Sequence, residues 1–212
     1  MSGLEIRNIS KAFGYLKVLN NISRHFPAGT IHLVSGRNGI GKSTLLNVIS
    51  TAESPDEGIV LYDSVPVRDH RVLFLRRTGY LSSSLYMIDQ LTVRENIRLF
   101  AGIRNLKLEE EKIRNSCAYW GLNLDSPCSF SRLSTGTRKK VALMMLFLTE
   151  PEIYLMDEPY SGLDIESVKK LDSLISAEMT KGKTIILTSH QFPDFPEENL
   201  SVFDMPGQTH QS

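Results

Sequence analysis

Little in this chain marks a secreted, membrane-spanning or metal-loaded protein. Of its 212 residues only two are cysteine, Cys117 and Cys128, and they lie in no metal-ligand spacing. They read as reduced thiols, which excludes a disulfide-stapled scaffold. The five histidines are scattered and suggest no metal cluster. No apolar run approaches the ~20 residues that span a bilayer. The longest, Val141 to Leu148, amounts to about two helical turns and reads as a core helix. The first residues, Met1 to Glu5, lack a basic region followed by an apolar stretch, so no secretory leader is expected. Lys plus Arg and Asp plus Glu both total 24, leaving no excess of either sign. Such a balance carries no electrostatic footprint for nucleic acid, and no nucleic-acid partner is expected. Internal repeats and low-complexity linkers are absent too. The length suits one sizeable core.

What is present is a phosphate-binding loop. Gly36-Arg37-Asn38-Gly39-Ile40-Gly41-Lys42-Ser43-Thr44 follows the G-x-x-x-x-G-K-[S/T] pattern. Ile31 to Ser35 before it reads as a buried strand, and Lys42 to Ser50 as a helix. Gly36, Gly39 and Gly41 let the backbone approach a triphosphate, with N–H groups from Asn38 to Thr44 forming an anion nest at a helix start. Lys42 would reach the β- and γ-phosphates, and the Ser43 hydroxyl would complete the coordination of Mg²⁺. A nucleotide-binding protein is the expectation, with ATP and Mg²⁺ as cofactors.

A second constellation separates this chain from other phosphate-loop proteins. Ile153-Tyr154-Leu155-Met156 is an apolar strand that ends in Asp157 and Glu158. A strand end beside the phosphate loop would turn Asp157 toward the Mg²⁺. Glu158 would accept a hydrogen bond from the attacking water and polarise it.

Periodicity supplies the rest. Leu4 to Ile9 and Val18 to His25 read as strands, with further short strands at Ile59 to Tyr62, Thr78 to Leu81 and Thr184 to Thr188. Residues from Thr92 to about Trp120 are helical, with Val93, Ile97 and Phe100 on one face, and the run Glu109 to Lys112 reads as a solvated surface. Ser134 is placed to cap a long helix through Leu148, whose Met144 and Met145 read as core. Arg138, Lys139 and Lys140 in its first turns read as solvated. An amphipathic helix runs from Ile165 to about Met179. The expected fold is α/β, with a parallel sheet in a phosphate-loop core, a small antiparallel β-subdomain ahead of it and a helical subdomain inserted at about 84–150, all in one domain over 1–212.

With these motifs in this order, nearly the whole chain resembles the nucleotide-binding subunit of the ATP-binding cassette (ABC) family. Leu133-Ser134-Thr135-Gly136-Thr137 is similar to that family's LSGGQ signature, changed at the third and fifth places. Pro159 to Asp164 resembles its D-loop, His190 its switch histidine, and Phe13 the aromatic that stacks on adenine. The resemblance implies that Ser134 and Gly136 meet the γ-phosphate of a second subunit's ATP, in a head-to-tail homodimer or a pair with a related ATPase subunit. It implies that His190 senses the γ-phosphate, and that Lys42, Glu158 and His190 carry catalysis. It further implies a polytopic membrane partner touched by residues between Ser84 and Phe100, and a cytoplasmic location held to the inner face of a membrane through that partner. One departure is plain: Ser83 stands where the family places a glutamine that touches Mg²⁺, which predicts slow or tightly coupled hydrolysis. The compact length and Thr188-Ser189-His190-Gln191 resemble the haem-exporter branch. A soluble ATPase serving an assembly process such as iron–sulfur cluster building, and a degenerate cassette that only grips ATP, stay open as alternatives.

Overall fold

The computed structural model describes residues 3–82, 84, 87–189 and 194–206. Its first strands, β1 (Gly3–Phe13) and β2 (Leu16–Pro27), form an antiparallel hairpin that outruns the expected strands at both ends. On the other edge of β1 lies β4 (Glu57–Tyr62), then β5 (Val65–Pro66), giving a sheet of order β2-β1-β4-β5.

The second sheet is parallel throughout. Its order is β6 (Thr78–Leu81), β7 (Ile153–Met156), β8 (Thr184–Thr188), β3 (Thr30–Ser35) and β9 (Leu200–Asp204). Parallel strands require crossovers, and with both faces covered the inner strands of the sheet are buried. That burial explains why β7 and β8 read as continuous apolar or β-branched runs. Side chains alternate between two cores. Leu33, Tyr154, Met156, Ile185 and Leu187 face one; Val34, Ile153, Leu155 and Ile186 face the other.

The first core receives α5 (Thr135–Leu148) and α6 (Ile165–Thr180), with α3 (Val93–Ile103) and α4 (Glu110–Tyr119) beyond them. Met144 and Met145 are core residues here, as is Trp120 at the end of α4. The second core joins the antiparallel sheet to α1 (Lys42–Ile49) through Ile6, Leu19, Leu45 and Ile49. Each fully buried aliphatic of this kind contributes about 1.5–3 kcal/mol.

Local signals agree with these elements. Thr92 and Glu95 form a capping box at the start of α3, Ser134 caps α5, and Asp164 caps α6. Besides the two-residue β5, two elements have no counterpart in the hydrophobic pattern. The first is α2 (Arg71–Arg77), which buries only Phe74 and leaves Val72, Leu73 and Leu75 outward, so it lacks an inward stripe. The second is β9, a half-exposed edge strand held by β3 alone. Among the described residues, no helix is long and apolar enough to cross a membrane.

Candidate functional site

Because every strand of the second sheet points the same way, the loops leaving β6, β7, β8 and β3 emerge along one edge. In open parallel sheets ligands bind at that carboxyl edge. The loop after β3 is the phosphate loop. It climbs from Gly36 (φ +143°) through Gly39 (φ +77°) to Gly41 (φ +112°), which caps α1 in a left-handed conformation with no side-chain bond. No acidic residue lies in the first turn of α1, so the helix itself sets no carboxylate against an anion there. Glycine is required at 41 for a second reason. A Cβ there would stand 2.8 Å from Val18 Cγ1, so β2 presses directly on the loop.

Lys42 is buried, and its Nζ donates to the carbonyls of Gly36 (2.7 Å) and Arg37 (3.3 Å), which holds the ammonium inside the loop's curl. Asn38, Gly39 and Ser43 are exposed along the rim, and Thr44 is half-buried. Phe13 ends β1 at the hairpin tip, 49% exposed, with Lys11 Nζ 5.5 Å from its ring centre. The strand β2 that returns from this tip is the one that touches Gly41, so the aromatic and the loop belong to one surface.

The loop after β7 carries the carboxylates. Asp157 is buried; its Oδ1 accepts from Thr188 Oγ1 at 2.8 Å, and Oδ2 is buried without a hydrogen-bond partner among the described residues. Glu158 follows in a left-handed conformation (φ +48°), its N–H donated to the same Thr188 hydroxyl at 2.9 Å. Among the described residues no group of three or more His, Cys, Asp or Glu side chains could hold a metal ion. A hard cation at this edge would therefore rely on a hydroxyl, one carboxylate and phosphate oxygens, which suits Mg²⁺ rather than Zn²⁺. The orphaned Oδ2 of Asp157 fits such a ligand. Ser83 and His190 lie outside the described residues; Ser82, buried, leaves β6, and Ser189, buried, leaves β8 at the same edge.

The signature segment joins this edge from α5. Ser134 and Thr135 are exposed, and Ser134 Oγ accepts the Thr137 N–H at 3.2 Å while sharing a 2.8 Å bond with Thr137 Oγ1. Gly136 sits against the D-loop, and Lys140 pairs with Asp164 at 2.6 Å. The Lys140 bond, then the Ser167 N–H, holds the Asp164 carboxyl well below the usual carboxylate range. Tyr160 donates to Asp172 at 2.7 Å and anchors the D-loop to α6.

The basic run after the signature is not uniformly solvated. Arg138 bonds the Ser131 carbonyl and stacks over Phe130, and Lys140 is paired. Lys139 is only 7% exposed, its Nζ 3.5 Å from the Asp157 carbonyl. Burial pushes its pKa down, opposed by the charges of Asp157 and Glu158. Its helical spacing from Leu143 and Leu146, both core, is the signal in the sequence that marks it as inward.

Comparison with known proteins agrees with this geometry. Residues 19–161 match the ABC transporter family. A cytochrome c biogenesis ATP-binding export protein, CcmA of Vibrio vulnificus, is 30% identical over 196 residues, covering 92% of this chain and 96% of that protein. Among solved structures, the ATP-binding subunit of an ABC transporter superposes with a TM-score of 0.79 at 25% identity, over 89% of this chain and 80% of that one. A dimeric bacterial ABC transporter cassette shares the fold, with a TM-score of 0.80 at 21% identity over 95% and 94% of the two chains. The chain belongs to the ABC transporter family, in which it is an ATP-binding subunit and an ATPase.

Proposed function

We propose that two copies of this chain close around two Mg·ATP and reopen on hydrolysis, driving a separate polytopic membrane subunit. The observation that carries this is the shared carboxyl edge, where a glycine-capped helix start and an orphaned buried carboxylate oxygen lie on loops of one parallel sheet. Gly36, Asn38, Gly39, Gly41 and Thr44 wrap the phosphates with backbone N–H groups, Lys42 exchanges its loop carbonyls for phosphate oxygens, and Phe13 stacks on the base. Ser43 and Asp157 would hold Mg²⁺, with Ser83 assigned to the same metal by its place in the sequence; when bound, the ion would neutralise charge developing on the phosphates. Glu158 takes the proton of the attacking water, and His190 contacts the γ-phosphate. Ser134, exposed, and Gly136, half-buried beside it, open α5 and serve the partner copy's ATP. The helices between 84 and 150 act as an inserted subdomain within one 1–212 domain.

A groove of about 870 Å³ supports the membrane partner. Leu75, Met87, Phe100 and Arg104 line it, and Val72 (66% exposed) and Ile103 (75% exposed) flank it with outward apolar side chains. Patches of this kind mark protein contacts, and this one spans the core and the helical segment. A cytoplasmic helix of the membrane subunit is the occupant this reading assigns to the groove, which supports a location at the inner face of a membrane. Likeness to CcmA over 92% of the chain supports an export role in cytochrome c biogenesis.

Glu158→Gln tests the core of this proposal. Sedimentation with ATP is expected to give a persistent dimer that no longer turns over. A variant that stays monomeric, or that hydrolyses like wild type, overturns it.

A further inference from the structure

Two parts of the site meet at one hydroxyl. Thr188, the fully buried last residue of β8, donates its Oγ1 hydrogen to Asp157 Oδ1 at 2.8 Å and accepts the Glu158 N–H at 2.9 Å. A threonine hydroxyl has one hydrogen and two lone pairs, so both bonds form at once with fixed roles. Register makes this possible. β7 and β8 run parallel with Met156 opposite Leu187, so Asp157 and Thr188 leave the two strands side by side.

The bonds have separate consequences. With Oδ1 occupied, Oδ2 is the carboxylate oxygen left to accept a further ligand, and it is the one buried without a partner among the described residues. Glu158, in a backbone region uncommon for a residue with a side chain, is pinned there by its N–H on one side and by the Ser161 N–H on its carbonyl (3.2 Å) on the other. The sequence motifs give Thr188 no role.

We infer that Thr188 is a positioning residue for ATP hydrolysis: its hydroxyl orients the Asp157 carboxylate and the backbone of Glu158 together, and ties both to the strand end that leads to His190. This rests on the roles proposed above for Asp157 and Glu158.

Thr188→Val and Thr188→Ser, made in the full chain beside Glu158→Gln, test it. Valine keeps the shape and suits a buried strand, yet can neither donate nor accept. Its kcat is expected to fall about tenfold or more, as for lost partners of metal-site ligands. KM for ATP should hold while the Mg²⁺ needed for half-maximal rate rises. Serine should restore most of the rate, which a purely steric role for the β-branched side chain does not predict. A valine variant at wild-type rate, or a serine variant no better than valine, overturns the inference. Full hydrolysis by Glu158→Gln would instead unseat the underlying site assignment. Should valine fail to fold, comparing Thr188→Ala with Thr188→Ser separates the same two outcomes.

Discussion

A Cβ on Gly136 would stand 2.8 Å from the carbonyl oxygen of Gly162, closer than real side chains approach backbone. The first turn of α5 and the D-loop are therefore in contact through bare backbone, and a shift of one is a shift of the other. Gly136→Ala has to separate them by a few tenths of an ångström or more. ATP affinity of the isolated subunit should persist, because the phosphate loop is untouched. Turnover should fall about a hundredfold, the scale of a small misplacement at a reacting centre. Nucleotide titration beside steady-state hydrolysis checks the split; parallel loss of both, or of neither, contradicts it.

Lys139 separates stability from activity. Burial outweighs the pull of Asp157 and Glu158, so its pKa lies below the ordinary lysine value and the charge is a net cost to the fold. Lys139→Met removes that cost but also takes the cation from beside the buried Asp157 carboxylate, so the two effects offset and stability should change by less than about 1 kcal/mol. Hydrolysis should nevertheless drop, because the ammonium at the Asp157 carbonyl and its charge beside both carboxylates are lost. Thermal melts together with ATPase assays decide; a variant that is both less stable and fully active refutes the account.

His32 predicts an acid sensitivity. It lies buried in β3, edge-on to Phe26 at 5.3 Å, with Nε2–H donating to the Pro27 carbonyl at 2.9 Å. Burial, reinforced by Arg24 and His25, holds its pKa down to about 4 against an ordinary 6.5. Between those values the unfolded chain binds the extra proton, so this contribution is complete above pH 6.5 and is lost as pH falls toward 4. From pH 7 to pH 5 the loss is about 2 kcal/mol. His32→Gln should flatten that slope in denaturant melts; parallel wild-type and variant slopes would exclude His32 as its source.

Ser83→Gln probes the departure from the family pattern. A glutamine amide is longer than a serine hydroxyl and needs no bridging water to touch a metal, so basal hydrolysis at limiting Mg²⁺ should rise about tenfold. Equal rates and equal Mg²⁺ dependence in the two proteins would remove any role for the substitution.

Much of this site is legible in the sequence because its chemistry is local. The phosphate loop, the Asp157–Glu158 pair and the Ser134 cap each occupy a few consecutive residues, and each depends on backbone geometry that short patterns encode. Lys139 looks solvated in sequence because a lysine inside a basic run resembles a helix surface until its spacing to Leu143 is weighed. The Thr188 hydroxyl is invisible there for a different reason. Its partners are 30 and 31 residues away, and only strand register brings them together. The helix at Arg71–Arg77 leaves no mark because its apolar side chains point outward, so no amphipathic stripe faces the core.

Trp120 is the chain's single tryptophan, 3% exposed in the core beside Cys117 and Ile113, with the Tyr119 ring 5.8 Å away. Its indole therefore serves as a built-in optical probe of how the α4 region seats on the rest of the molecule. Emission wavelength and quencher access can report whether adding nucleotide changes that seating in unlabelled protein, from stopped-flow mixing to steady state.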